Sequence, residues 1–238
     1  MQRYKKFLSI ITVALLVANL LVYGIFGDDV SRTMRFISMV VFFVIFLNPA
    51  YYKKNALLIF VAFVLNDFLL IFYETLINQN LVLFIRLCAY LLLARLVFPY
   101  LRKIKIHIFD KILFTGILII NWFLLYNIKD TIGSGQNASW LEDVLIYAYG
   151  TSLIIAVATA FSFYSRYIDK ASIFFLLSII GLLMSDLTFF VGFYLDFPEF
   201  YYLDRGFNIV SLGFLLHFLL LFKNKIARGF YNGENDVI

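Results

Sequence analysis

Charged side chains make up only 15% of this chain, against about 25% in an ordinary water-soluble domain. A fold of this size with so few charges cannot present a water-compatible surface, so a soluble globular domain is excluded. Cysteine is almost missing as well. Cys88 stands alone, which rules out an internal disulfide framework and the paired spacing of a zinc module. The two histidines, His107 and His217, are far apart in the sequence, and no metal or cofactor is expected. Three prolines and few glycines leave the long apolar runs largely unbroken. The net charge of +5 is spread in clusters between those runs rather than along a single face, so nucleic acid is not an expected partner.

What the chain has instead is apolar bulk: 63% hydrophobic residues, with 29 phenylalanines and 16 tyrosines. Runs of about 18 or more apolar residues recur along its length, the pattern of a polytopic all-α membrane protein. Strands of a membrane barrel would alternate instead. Eight transmembrane helices are predicted: Phe7–Phe26, Phe36–Leu47, Ala56–Tyr73, Leu81–Leu101, Ile108–Ile128, Val144–Tyr164, Ser172–Leu195 and Phe207–Phe222. The first follows Arg3, Lys5 and Lys6 like a signal peptide, but its apolar run is too long and no small-residue cleavage site follows, so it reads as retained. Asn48-Pro49 ends the second. The Asn137-Ala138-Ser139 triplet is a weak glycosylation signal. Residues 1–222 form the membrane domain, and 223–238 a polar tail.

Lysine and arginine set the expected orientation. Arg3, Lys5, Lys6, Lys53, Lys54, Arg102, Lys103, Lys105, Arg166, Lys170, Lys223, Lys225 and Arg228 fall on one side, and only Arg32, Arg35, Lys129 and Arg205 on the other. Both termini are therefore placed in the cytoplasm, and a bacterial inner membrane is the expected location. Tyrosines crowd the helix ends, as interface-seeking rings do.

Two aspartates interrupt these runs. Asp67 follows Asn66 in the third predicted helix, and Asp186 follows Ser185 in the seventh, half a chain length away. An intramembrane carboxyl is costly and usually faces the bundle interior. The matched positions suggest two parallel four-helix halves, 1–105 and 106–222, with the aspartates at comparable depth. Arg86 and Tyr90, one turn apart on the fourth helix, reach a similar level. Phe189, Phe190 and Phe193 lie on the Asp186 side and are candidates to line an acyl-chain pocket. Two readings stand side by side. In one, the aspartates are structural glue, paired with Arg86 or a backbone carbonyl. In the other they converge on a shared acid/base site, with His217 in the last helix assisting.

The stretch Gly181-Leu182-Leu183-Met184-Ser185-Asp186, the Pro198 loop and Leu216-His217-Phe218-Leu219-Leu220 resemble the lysoplasmalogenase family of membrane proteins. Asp67 takes the place of that family's Gly-Asp, with Asn66 in place of glycine. Tyr90 takes the place of the tyrosine of a His-x-x-Tyr, with Leu87 in place of histidine. The resemblance implies hydrolysis of the vinyl ether of a lysophospholipid-like substrate held within the bilayer, with Asp67, Asp186 and His217 catalytic and Arg86, Tyr90, Ser185 and Asn66 around the substrate. The chemistry would resemble glycosidase logic, in which one carboxylic acid protonates and a second carboxylate steadies the cation. A proton-coupled carrier and a lipid-binding protein without catalysis are the alternatives.

Overall fold

The computed structural model describes residues 2–51, 53–73, 76–101 and 140–227, with positions 115, 116, 119, 122, 123 and 126. Among the described residues every regular element is a helix: α1 (Gln2–Leu47), α2 (Lys54–Leu70), α3 (Leu76–Val97) closed by a 3-10 turn (Phe98–Tyr100), α4 (Trp140–Tyr167), α5 (Lys170–Tyr194) and α6 (Phe200–Ala227). The six isolated positions are helical too and fall within the predicted helix Ile108–Ile128. The rest of that helix, the Asn137-Ala138-Ser139 triplet, Glu74 and the chain from Arg228 onward lie outside the described residues.

At 46 residues α1 is too long to be one rod, and it is not. Gly27 has φ 77° and ψ −164°, a conformation essentially confined to glycine. In a straight helix Asn19 and Ser38 would stand roughly 28 Å apart at about 1.5 Å per residue. Instead Asn19 Nδ2 donates to Ser38 Oγ at 2.7 Å, and the Tyr51 hydroxyl donates to the Tyr4 carbonyl at 3.0 Å. The chain therefore reverses at Gly27, and the arms 2–26 and 28–47 lie antiparallel.

This corrects the predicted loop between the first two spans. The loop shrinks to a hinge, the second arm begins at Asp28, and Arg32 and Arg35 are buried within it. A similar correction applies to α6, which begins at Phe200 rather than Phe207 and takes in Asp204 and Arg205, both almost wholly buried. The physical reason is common to both. These charges find partners inside the fold, so segments that look polar need not stay in water.

Local chemistry sets the remaining ends. Asn48-Pro49 stops α1, since proline cannot continue the hydrogen-bond ladder. Asp169 caps α5 reciprocally: its carboxylate accepts from the Ser172 amide at 2.6 Å, and the Ser172 hydroxyl accepts from the Asp169 amide at 3.0 Å. Ile168, just before this cap, is held at φ 42°.

The helices pack in a circuit: α1 on α2, α2 on α3, α3 on α4, α4 on α5, α5 on α6, and α6 back on α1. Small residues bring two of these pairs close. A Cβ on Gly213 would stand 2.7 Å from Thr12 Oγ1, and one on Gly181 would collide with Ser211 Oγ. The interior then divides into two ends. The end nearer the N-terminus is aromatic, with Phe42, Phe46, Phe60, Phe163, Phe175, Phe218 and Phe222 buried and Phe46 stacked on Phe60 at 4.3 Å. The opposite end, at Gly27, holds buried charge.

Outward faces are apolar. On the first arm of α1, Ile10, Val13, Val17 and Leu21 form an exposed stripe at helical spacing, Ile10 being 69% exposed. Water would disfavour such a stripe and lipid would not. Among the described residues five helices are long and apolar enough to cross a membrane. Together these features describe a helical membrane protein.

Candidate functional site

The buried charges are grouped by sequence and geometry together. On the second arm of α1, Asp28, Arg32 and Arg35 recur at helical spacing and face one side. Arg32 Nε donates to Asp28 Oδ2 at 2.7 Å. Across from them, α6 opens with Asp204-Arg205. Arg205 donates from Nε to Ser31 Oγ at 2.8 Å and from Nη2 to Asp28 Oδ1 at 2.9 Å. Its Nη1 donates to Asp204 Oδ2. Asp204, which is 0% exposed, also accepts from Arg35 Nη1 at 2.9 and 2.7 Å and from the Ser185 hydroxyl at 2.5 Å.

Asp67 lies in the last turn of α2 and joins the edge of this network. Its Oδ1 accepts from Arg35 Nε at 3.3 Å and from Asn66 Nδ2 at 3.1 Å. Asp186 heads a second cluster, two turns before the end of α5. Oδ1 accepts from Arg86 Nη2, and Oδ2 accepts from the hydroxyls of Tyr90 and, at 2.6 Å, Tyr149. Ser185 and Asp186, neighbours in sequence, thus tie the two clusters together through α5.

Buried charges in such a setting must be paired, because a lone ion in an apolar interior costs several kcal/mol. Here four arginines (Arg32, Arg35, Arg86 and Arg205) meet four aspartates (Asp28, Asp67, Asp186 and Asp204).

Beside the second cluster lies a cavity of about 180 Å³. Its ionic groups are Arg35, Arg86 and Asp186, with the Tyr149 hydroxyl bonded to Asp186. Its walls include Leu70, Val82, Leu153, Leu183, Phe189 and Phe190. Tyr73 and Tyr194 also line it, and their hydroxyls share a hydrogen bond of 2.9 Å. A larger hollow, about 350 Å³ among Leu87, Leu91, Trp122 and Tyr147, is almost wholly apolar, and no carboxylate, histidine or basic side chain lines it among the described residues.

The candidate residues therefore separate. Asp186 and Arg86 line the cavity; Asp67, Asn66, Tyr90 and Ser185 do not. The Tyr90 hydroxyl donates to Asp186, Ser185 holds Asp204, and Asp67 bonds Arg35, which lines the cavity. The two carboxyls expected to converge thus belong to adjacent clusters rather than to one cavity wall. His217 stands apart from both, its Nε2 3.3 Å from Ser9 Oγ and its ring stacked on Phe174 at 5.1 Å. Phe189 and Phe190 line the cavity, while Phe193 packs edge-on against Tyr73 at 4.9 Å.

Four ionic residues and a phenol were missed from sequence. Arg32, Arg35, Asp204 and Arg205 read as loop charges, and Tyr149 as one tyrosine among many. The signal was present in the i, i+4, i+7 spacing of Asp28, Arg32 and Arg35, which places all three on one helical face. Among the described residues no group of acidic, histidine or cysteine side chains is arranged to hold a metal ion. Comparison with protein-family models, with curated proteins and with solved structures finds no match.

Proposed function

We propose that the chain is an eight-span integral membrane protein with both termini in the cytoplasm, and that it hydrolyses the vinyl ether of a lysophospholipid-like amphiphile at the Asp186 cavity. The observation that carries this reading is the cavity itself: one carboxyl, two guanidiniums and three phenols in a hollow whose remaining walls are apolar. The eight spans would be the two arms of α1, the five other described helices and the predicted helix Ile108–Ile128. The excess of lysine and arginine near the N-terminal end of the bundle supports the orientation.

The chemistry needs few parts. The acid form of Asp186 gives its proton to the β-carbon of the vinyl ether, leaving an oxocarbenium ion. The resulting carboxylate steadies that cation and takes a proton from the attacking water. The hemiacetal so formed collapses to a fatty aldehyde and a free glycerol hydroxyl, and Asp186 ends the cycle protonated as it began. Arg86, Tyr90 and Tyr149 fix the carboxyl, and Asp67 acts at one remove by holding Arg35.

Purified protein incubated with an alkenyl lysophospholipid should release aldehyde, and its acyl analogue should release no fatty acid. Asp186→Asn is expected to lose at least about 100-fold, on the scale of a lost general acid, and Asp67→Asn to lose less. Absence of aldehyde from the wild-type protein would sink the reading. A second reading, lipid binding without catalysis, is favoured by the pairing of all these charges, and it predicts that the same substrate binds and is not turned over.

A further inference from the structure

We infer that the cavity holds the anionic headgroup of a single-chain amphiphile, clamped between Arg35 and Arg86. This deepens the reading above, on which its substrate class rests, but concerns binding alone. Arg35 is 2% exposed and Arg86 5% exposed, and both line the cavity. A guanidinium carries five N–H donors. Arg35 directs Nε to Asp67 and Nη1 to Asp204, which leaves Nη2 without an acceptor among the described residues. Arg86 directs Nη2 to Asp186 and also meets the Tyr90 hydroxyl, and two such contacts do not use all five of its N–H donors.

The ionic groups that line the cavity are those two guanidiniums and the Asp186 carboxyl, while Asp67 and Asp204, which pair with Arg35, stand outside the lining. Buried donors with no acceptor are costly, and a planar guanidinium pairs best with a phosphate or carboxylate. The rest of the lining is leucine, valine, isoleucine and aromatic side chains, suited to methylenes. At about 180 Å³ the space falls below the roughly 300–1,000 Å³ of a site that encloses a whole ligand. It suits a headgroup and the first carbons of a tail, not a complete lipid.

The test uses the full-length protein in a neutral detergent, titrated with dodecyl phosphate, dodecanol or inorganic phosphate, with binding read by native mass spectrometry and by the shift in thermal midpoint. Dodecyl phosphate is expected to bind saturably and at least tenfold more tightly than either of the others. The paired variant Arg86→Gln with Asp186→Asn, which leaves no single charge unpartnered, should remove most of that preference. Leu183→Trp fills the cavity with both arginines intact and should abolish binding, so the inference stays testable if the paired variant does not fold.

Equal affinity for dodecanol, binding of inorganic phosphate as tight as that of dodecyl phosphate, or binding untouched by Leu183→Trp would each overturn it. Aldehyde release measured on the same samples separates the two readings. Release without headgroup preference overturns the clamp alone, and preference without release overturns the hydrolase alone.

Discussion

Asp204 is the residue on which the ionic end of the bundle turns. It is wholly buried and accepts from Arg35, Arg205 and Ser185 at once. Replacing it with asparagine leaves Arg35 and Arg205 short of negative charge, the situation in which a broken buried pair costs about 3–5 kcal/mol. Asp204→Asn should therefore lower the thermal midpoint in detergent markedly. Asp67→Asn, which removes one longer contact to Arg35, should lower it less. Equal midpoints for the two would contradict this ranking.

At the opposite end Lys53 sits with its Nζ 3.8 Å from the Phe222 ring centroid. Burial lowers its pKa from the ordinary 10.5 to about 8. Between those values the folded protein binds fewer protons at this site than the unfolded chain, so this site makes stability rise as pH rises from about 8 to 10.5. Lys53→Met should remove that part of the rise, which midpoints measured across the interval would reveal. Amine-selective labelling followed by mass spectrometry should likewise show Lys53 reacting with a midpoint near 8.

At the scale of the element, two turns matter most, and their residues differ in fitness for them. Gly27 reverses α1 at φ 77° and ψ −164° with no atom near its missing side chain. Gly27→Ala meets no clash, so any loss of stability reports backbone strain alone, roughly 1–3 kcal/mol. Ile168 makes the opposite case: a β-branched residue, 71% exposed, held at φ 42° after the end of α4. Ile168→Gly should stabilise the protein by about 1 kcal/mol, because glycine is the preferred residue where a helix ends in a left-handed turn. Thermal unfolding of both variants in one detergent tests the pair of opposite signs.

Helix existence was largely legible in the sequence, since apolar runs of spanning length have little choice but to be helical. Helix starts were not. The predicted starts at Phe36 and Phe207 both fall late, after Arg35 and after Arg205. A charge next to an apolar run looks like a loop when its partner is far away in sequence, and the partners of Arg35 and Arg205 lie on other helices.

At the scale of the whole molecule, the circuit of helices separates an aromatic end from an ionic end, with the cavity at the ionic end. If both termini are cytoplasmic, the cavity lies in the half of the bilayer away from the cytoplasm. In a Cys88→Ser background, Asp196→Cys between α5 and α6 should label with an impermeant thiol reagent from outside intact cells. Lys170→Cys should label only after the membrane is opened. The reverse pattern would invert the topology.

The candidate site was half legible on the same terms. Asp67, Asp186 and Arg86 stood out because a charge inside an apolar run is conspicuous by itself. Composition and apolar run length alone determined that this is a helical membrane protein with ionisable groups in its interior. Those are properties of each segment's own transfer from water to lipid, and they need no knowledge of neighbours. Only the tertiary structure decided that Arg35 joins Asp67 to Asp204, that Asp186 and not Asp67 lines the cavity beside Arg86, and that His217 sits elsewhere. Pairing of buried charges is a contest among partners on different helices, settled by how those helices pack.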